Sequence, residues 1–359
     1  MALWLIRAGS EGEYERKFLD EDRVYLTWHE LVDDLTKAKS REAVTEVMRR
    51  CLPDAGEGKL RNYVAQVWAF CASIAPGDWF ALPSKFSSTI HFGEITGPLK
   101  FDAKAEPPFK HYRTCKWIEL DVPRNRFDQD LLYSLGAFMT VCRITRNDAE
   151  ARIRAIAANG WQSSRTGTVT VKPTSTKARS EEAQEEDEVP TEAGGSVDLE
   201  QLASDSIARM IDARFKGHGL ARLVEAILRA QGYTTHRSPE GADHGVDILA
   251  GTGPMGFGSP RICVQVKSGD SPIDRPSVDQ LVGTMQHVGA DHGLFVAWGG
   301  FKSTVNRELA QKFFRLRLWD QKDLIEQVLA HYPDLDAEVR AELPLKRIWT
   351  VAGTDEDAG

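Results

Sequence analysis

Residues 170–198, TVKPTSTKARSEEAQEEDEVPTEAGGSVD, hold almost no large apolar side chain and carry an acidic run from Glu181 to Glu188. Such a stretch cannot bury enough apolar surface to offset the entropy lost on ordering it. It therefore splits the chain into separate folding problems. The sequence predicts a domain over 1–160, a flexible acidic linker over 161–199, a second domain over 200–335 and a tail over 336–359. A length of 359 residues agrees, since single cores stop growing near roughly 250–300 residues. The acidic run can also be read as a mimic of DNA phosphate seated in a basic groove; the simple tether is the reading adopted.

Charge follows the same division. The net charge is −8, which at first argues against a nucleic-acid partner. Residues 161–200 hold four Lys/Arg against nine Asp/Glu, and the stretch from Val351 adds Asp355, Glu356 and Asp357. These two segments carry the whole imbalance, so the predicted folded parts sum to zero and the acidic balance excludes nothing. The five cysteines are widely spaced and form no CxxC or Cys/His knuckle, so neither a disulfide framework nor structural zinc is expected. No apolar run reaches the roughly 20 residues needed to span a bilayer. The opening MALWLIRAGSEGEYERK turns charged too early for a signal peptide, and a cytoplasmic protein without membrane attachment is expected.

The first predicted domain is α+β. LWLIRAG and RVYLTW read as strands, and REAVTEVMRRCL and KLRNYVAQVWAFCASI carry helical periodicity. GDWFALPS, TIHFGEITG and YRTCKWIELDVP read as further strands, and FDQDLLYSLGAFMTVCRI as a helix feeding a last one. Successive strands with helices at one side point to a curved sheet or small barrel. The second domain is α/β. Two amphipathic helices, DLEQLASDSIARMIDARF and HGLARLVEAILRAQGY, precede strands near 233–237, 246–250 and 261–267. PSVDQLVGTMQHV, GLFVAW, STVNRELAQKFF, LRLW and KDLIEQVLAHY then alternate helix and strand, the pattern of a sheet covered on both faces.

Within it, GADHGVDILA is followed across a Gly/Pro-rich turn by RICVQVKSG. Alternation along a strand puts Cys263, Gln265 and Lys267 on one face. A buried strand with Gln and Lys on one face, beside a neighbour bearing Asp247, is accounted for by phosphodiester hydrolysis. That reaction needs a positioned water and neutralisation of charge on phosphate, both supplied by a hard cation on oxygen ligands. Asp247, the Gln265 carboxamide and the Val266 backbone carbonyl are the expected ligands of Mg²⁺ or Mn²⁺. Lys267 is expected to orient the water and stabilise charge. A solvated edge strand beside a turn is the competing reading of these residues.

Residues 201–331 resemble the Mrr-type restriction endonucleases of the PD-(D/E)xK superfamily, through LVEAILRAQGY, HGVDILA, VQVKS and the helices and strands from Ser277 to Tyr332. The resemblance implies a restriction-endonuclease-like α/β fold, metal-dependent cleavage of double-stranded DNA and often a preference for modified bases. In that family the first helix usually bears a Phe-Glu pair whose Glu assists the metal. Here Leu220 and Ala221 stand in that place. Glu225, one turn on, is the candidate replacement or a solvated helix residue. Asp243 is either an auxiliary carboxylate or a turn residue.

The order VYLTW, VWAF, GDWFALPSK, HFGEITG over residues 1–146 resembles the EVE and YTH group of PUA-like domains, which hold a flipped modified base. Trp28, Trp79, Ser84 and Lys85 are the pocket candidates, since aromatic stacking and polar edges read a base. Lys100, Lys104, Lys110, His111, Arg113, Lys116, Arg124 and Arg126 either track phosphates or form a scattered solvated surface. Together these readings predict a modification-dependent endonuclease, homodimeric on DNA, that defends its cell against foreign or phage DNA. Two alternatives stand beside it: a nucleic-acid-binding sensor with a weak or inactive nuclease fold, and a repair or structure-specific nuclease.

Overall fold

The structure, a computed structural model, describes residues 1–162, 189–191, 198–239, 245–302, 305 and 313–349. It divides into two compact units, Met1–Leu202 and Ala203–Thr350. Among the described residues no helix is long and apolar enough to cross a membrane.

The first unit runs β1 (Leu3–Ile6), α1 (Glu15–Glu21), β2 (Arg23–Tyr25), α2 (Arg41–Cys51), α3 (Glu57–Trp68), β3 (Trp79–Pro83), β4 (Thr89–Ile95), β5 (Lys100–Phe101), β6 (His111–Pro123), α4 (Gln129–Ser134), β7 (Val141–Ile144) and α5 (Ala149–Ala158). The strands pair in the order β2-β6-β4-β3-β1-β7, with β5 on β6. Helices cover both faces of this sheet, not one. The reason is visible in β1: all four residues of LWLI are buried, and a strand apolar on both sides must be covered on both. Trp4 and Ile6 join the core under α2 and α3, while Leu3 and Leu5 join the core under α4 and α5. The helices follow from local signals. The Ser40 side chain accepts from the Ala43 N–H to cap α2, whose Val44 and Met48, one turn apart, are buried.

Part of the expected linker is fixed. The Arg143 N–H donates to the Pro190 carbonyl at 2.8 Å, Thr191 bridges Arg143 in parallel, and Val189 packs on the first core. An edge strand such as β7 offers unpaired backbone groups, and Pro190 and Thr191 meet those of Arg143. Residues 163–188 and 192–197 lie outside the described residues.

The second unit holds α6 (Leu199–Phe215), whose first turn marks the division, then α7 (His218–Ala230), β8 (Thr234–Arg237), β9 (Ile248–Thr252), β10 (Gly258–Lys267), α8 (Arg275–Val288), β11 (His292–Ala297), β12 (Leu316–Trp319), α9 (Gln321–His331) and α10 (Ala337–Glu342). The sheet order is β12-β11-β10-β9-β8. β8, β9 and β10 pair antiparallel, whereas β10, β11 and β12 are parallel. One face, with Ile248, Val264 and Val296, packs against Leu220, Val224 and Ile227 of α7. The other, with Cys263 and Phe295, packs under Leu281 and Met285 of α8. Of the predicted helix STVNRELAQKFF, only Val305, Phe313 and Phe314 are described. The expected tail is in part core: Val339 of α10 and Leu343 are buried with the α7 face, and the Tyr332 hydroxyl donates to the Leu343 carbonyl at 2.8 Å.

Candidate active site

β10 is the centre of its sheet, so alternation has full effect there. Gln265 lies opposite Phe295 of β11 and shares the α8 face with Cys263, while Lys267 ends the strand opposite Ala297. Asp247 immediately precedes β9, and its main chain is tied on both sides. Its N–H donates to the Val264 carbonyl and its carbonyl accepts from the Ser238 N–H, both at 2.9 Å. The Asp247 Oδ2 then accepts from the Val266 N–H at 2.7 Å. The structure thus brings Asp247 directly against the stretch Gln265–Val266–Lys267.

The electrostatics agree with that placement. Burial, reinforced by the charge of Asp247, pushes the Cys263 thiol up to about 11, so this cysteine is an uncharged wall of the site. Gln265 is 5 % exposed, and its Oε1 has no hydrogen-bond partner among the described residues. An orphaned buried carbonyl oxygen costs about 1–3 kcal/mol and is the type of atom a hard cation takes up. Asp247, Gln265 Oε1 and the Val266 carbonyl are therefore a donor set that fits Mg²⁺ or Mn²⁺. Lys267 is exposed, and its carbonyl accepts from the Trp298 N–H at 2.8 Å; the strand end is held while the ammonium reaches solvent.

Glu225 is placed differently. Its carboxylate accepts from Arg229 at 2.8 Å, from the Thr235 hydroxyl at 3.0 Å and from Arg237 at 3.2 Å. Thr235 and Arg237 are registered with Ala250 and Ile248, which belong to the α7 face. Glu225 thus sits across the sheet from Gln265, buried and paired. Among the described residues no three His, Cys, Asp or Glu side chains group to hold a metal. Asp243 lies outside the described residues.

The four pocket candidates of the first unit are not assembled into one site. Trp28 is core packing beside Tyr63 on the α2/α3 face, whereas Trp79 packs against the opposite core under the Arg154 guanidinium, 4.2 Å from its ring. The Ser84 hydroxyl donates to Glu15 and accepts the Phe86 N–H. Lys85 pairs with Asp198 at 3.2 Å. Burial raises the Asp198 carboxyl, but the Gln201 N–H, Lys85 and Arg7 together hold it below the usual carboxylate range. Of the basic stretch, His111, Arg113 and Arg124 are buried, and Arg113 donates to the carbonyls of Phe70, Gly97 and Cys71. Those three are structural; Lys100, Lys104 and Lys116 are exposed.

A polar centre that the sequence reading missed lies on the α2/α3 face of the same sheet. His91 is 1 % exposed. Its Nδ1 accepts from the Asp121 N–H at 3.0 Å, so its proton is on Nε2, which donates to Glu15 at 3.2 Å. β6 shifts register twice against β4 here, and Asp121 has φ 55. Bulges re-aim side chains and a non-glycine residue in this region is strained. The alternation of TIHFGEI predicts the inward His91; its partners, distant in sequence, carry no local signal.

Comparison with known proteins finds a family match in each unit. Residues 212–328 match the family described as restriction endonuclease (Mrr_cat), and residues 4–136 match a domain of unknown function (DUF8426). The PUA-like expectation for the first unit has no counterpart in those matches. No curated protein matches the chain. Among solved structures, the chain is similar to the DNA modification-dependent restriction endonuclease AspBHI, at 13% identity over 83% of this chain and 73% of that one, TM-score 0.32. It is also similar to the MspJI restriction endonuclease in complex with a 27-mer oligonucleotide, at 17% identity over 91% and 75%, TM-score 0.29. The second unit of this chain carries a restriction endonuclease domain.

Proposed function

We propose that the chain is a divalent-metal-dependent DNA endonuclease acting on DNA with modified bases, in defence against foreign DNA. One observation carries the nuclease reading: Asp247, bonded to the backbone of β10, stands beside a buried Gln265 Oε1 that has no partner among the described residues and a Lys267 that reaches solvent. When bound, Mg²⁺ or Mn²⁺ supplies Lewis-acid polarisation of the phosphate and lowers the pKa of a water. The protein's part is to hold Asp247 and Gln265 as oxygen donors and to place the Lys267 ammonium where charge develops on the scissile phosphate. Recognition of the altered base is assigned to the first unit, and cutting of both strands to a pair of copies on the duplex.

The test uses purified protein with unmodified, 5-methylcytosine and 5-hydroxymethylcytosine duplexes, in Mg²⁺ or in chelator. Cutting confined to modified duplexes in Mg²⁺ is expected, and Asp247→Ala and Lys267→Ala should abolish it while binding persists. Metal-dependent cutting that survives in both variants overturns the assignment.

A sensor with a weak nuclease fold is the second reading. It is favoured by the occupation of Glu225 by Arg229 and Arg237, which keeps that carboxylate paired on the sheet face opposite Gln265. Selective binding without cutting on any duplex would establish it.

A further inference from the structure

We infer that Ser238 is the positioning residue of the Asp247 site. This rests on the nuclease reading for its functional meaning but not for its physical test. Asp247 precedes β9, outside the regular ladder, and Gly245 two residues earlier turns at φ 84. A segment entering a strand this way needs an external hold to keep one carboxylate in register. Ser238, just past β8, supplies it with both of its donors. Its N–H bonds the Asp247 carbonyl at 2.9 Å and its hydroxyl donates to the Val246 carbonyl at 2.6 Å.

The far side of the same segment is bound to β10, through the Asp247 N–H to Val264 and the Val266 N–H to Asp247 Oδ2. Ser238 is thus one jaw of a clamp whose other jaw is the strand bearing Gln265 and Lys267. Val246 is 6 % exposed and its carbonyl takes the Ser238 hydroxyl in a part-buried position, so loss of the hydroxyl removes that hold and lets the segment shift toward a new arrangement. A shift of about 1 Å at a reacting group lowers turnover by on the order of 100-fold. A serine that only stabilised the turn would lower the melting temperature and leave the carboxylate where it is.

The experiment compares the full-length chain with Ser238→Ala and Ser238→Thr. Amide hydrogen exchange is measured first, without metal or DNA. In Ser238→Ala the Val266 amide, protected by Asp247 Oδ2, should exchange at least several-fold faster, while the Val264 and Val296 amides keep their protection. Ser238→Thr, which keeps the hydroxyl, should restore the wild-type rate. On modified duplexes in Mg²⁺, Ser238→Ala should lower kcat by one to two orders of magnitude with KM little changed. Unchanged Val266 exchange in Ser238→Ala overturns the inference, as does Ser238→Thr behaving like Ser238→Ala. Should Ser238→Ala not fold, Ser238→Cys, with its weaker donor, carries the same comparison. A wild-type chain that cuts no duplex overturns the nuclease reading alone, because the exchange result is read without catalysis.

Discussion

Gln265 concentrates the tension between stability and activity at a single side chain. Its amide is buried at the centre of a sheet, on a face otherwise lined by Cys263, Phe295 and Leu281, with its Oε1 unpaired among the described residues. Folding alone would be served better by an apolar residue of similar volume, because an orphaned acceptor carries its desolvation cost. Gln265→Leu is expected to raise the unfolding free energy of the second unit by about 1 kcal/mol. The same change should abolish Mg²⁺-dependent cleavage. Chemical denaturation and a cleavage assay on the same preparation check both halves, and a variant that is destabilised would show that Gln265 is held by partners after all. Glu225 makes the opposite case. Three donors satisfy it, so removing it strands Arg237 and breaks a structural tie; Glu225→Gln should lower stability before it alters chemistry.

At the scale of elements, α10 and the strand order decide what surrounds these residues. Leu343 is fully buried just past α10, and Arg222 of α7 donates to Glu342 at 2.9 Å. The ion pair is partly exposed and adds little; the leucine carries the attachment. Leu343→Ala should destabilise the second unit by about 2–5 kcal/mol, measured by thermal or urea unfolding, although the residue lies beyond the matched family region. A loss below about 0.5 kcal/mol, as for ordinary surface substitutions, would mean the segment is not part of the core. Nothing in the sequence announces α10, since six residues are too few to show periodicity. β10 was legible for the opposite reason: VQVK alternates through a buried strand, and alternation alone puts Gln265 and Lys267 on one side. The site's support was not legible. Which backbone groups hold Asp247 depends on the pairing of β8 and β10 around it, and Trp28, on the loop after β2, and Trp79, on β3, fall in different cores because tertiary packing, not local pattern, places a loop side chain.

For the whole molecule, the two units are expected to unfold as separate transitions, and pH tells them apart. In the first unit His111 is 1 % exposed, and its Nε2 accepts the Leu35 N–H at 3.2 Å. Burial lowers its pKa from 6.5 to about 4. The unfolded chain therefore takes up a proton below about 6.5 and the folded one only below about 4, so the unfolded state binds more protons between those values. Stability from this group is complete above pH 6.5 and is lost as pH falls toward 4, by about 2 kcal/mol at pH 5. In the second unit burial and the charge of Asp323 push the Asp320 carboxyl up, which gives the reverse sign: the folded state holds its proton more tightly, and moderate acid favours it. Melting followed from pH 7.5 to 5 should show one transition falling while the other holds or rises. His111→Gln, whose amide oxygen can still accept the Leu35 N–H, should flatten the falling transition. If that transition keeps its full pH dependence in the variant, another group is responsible and His111 is not the acid-sensitive point of the first unit.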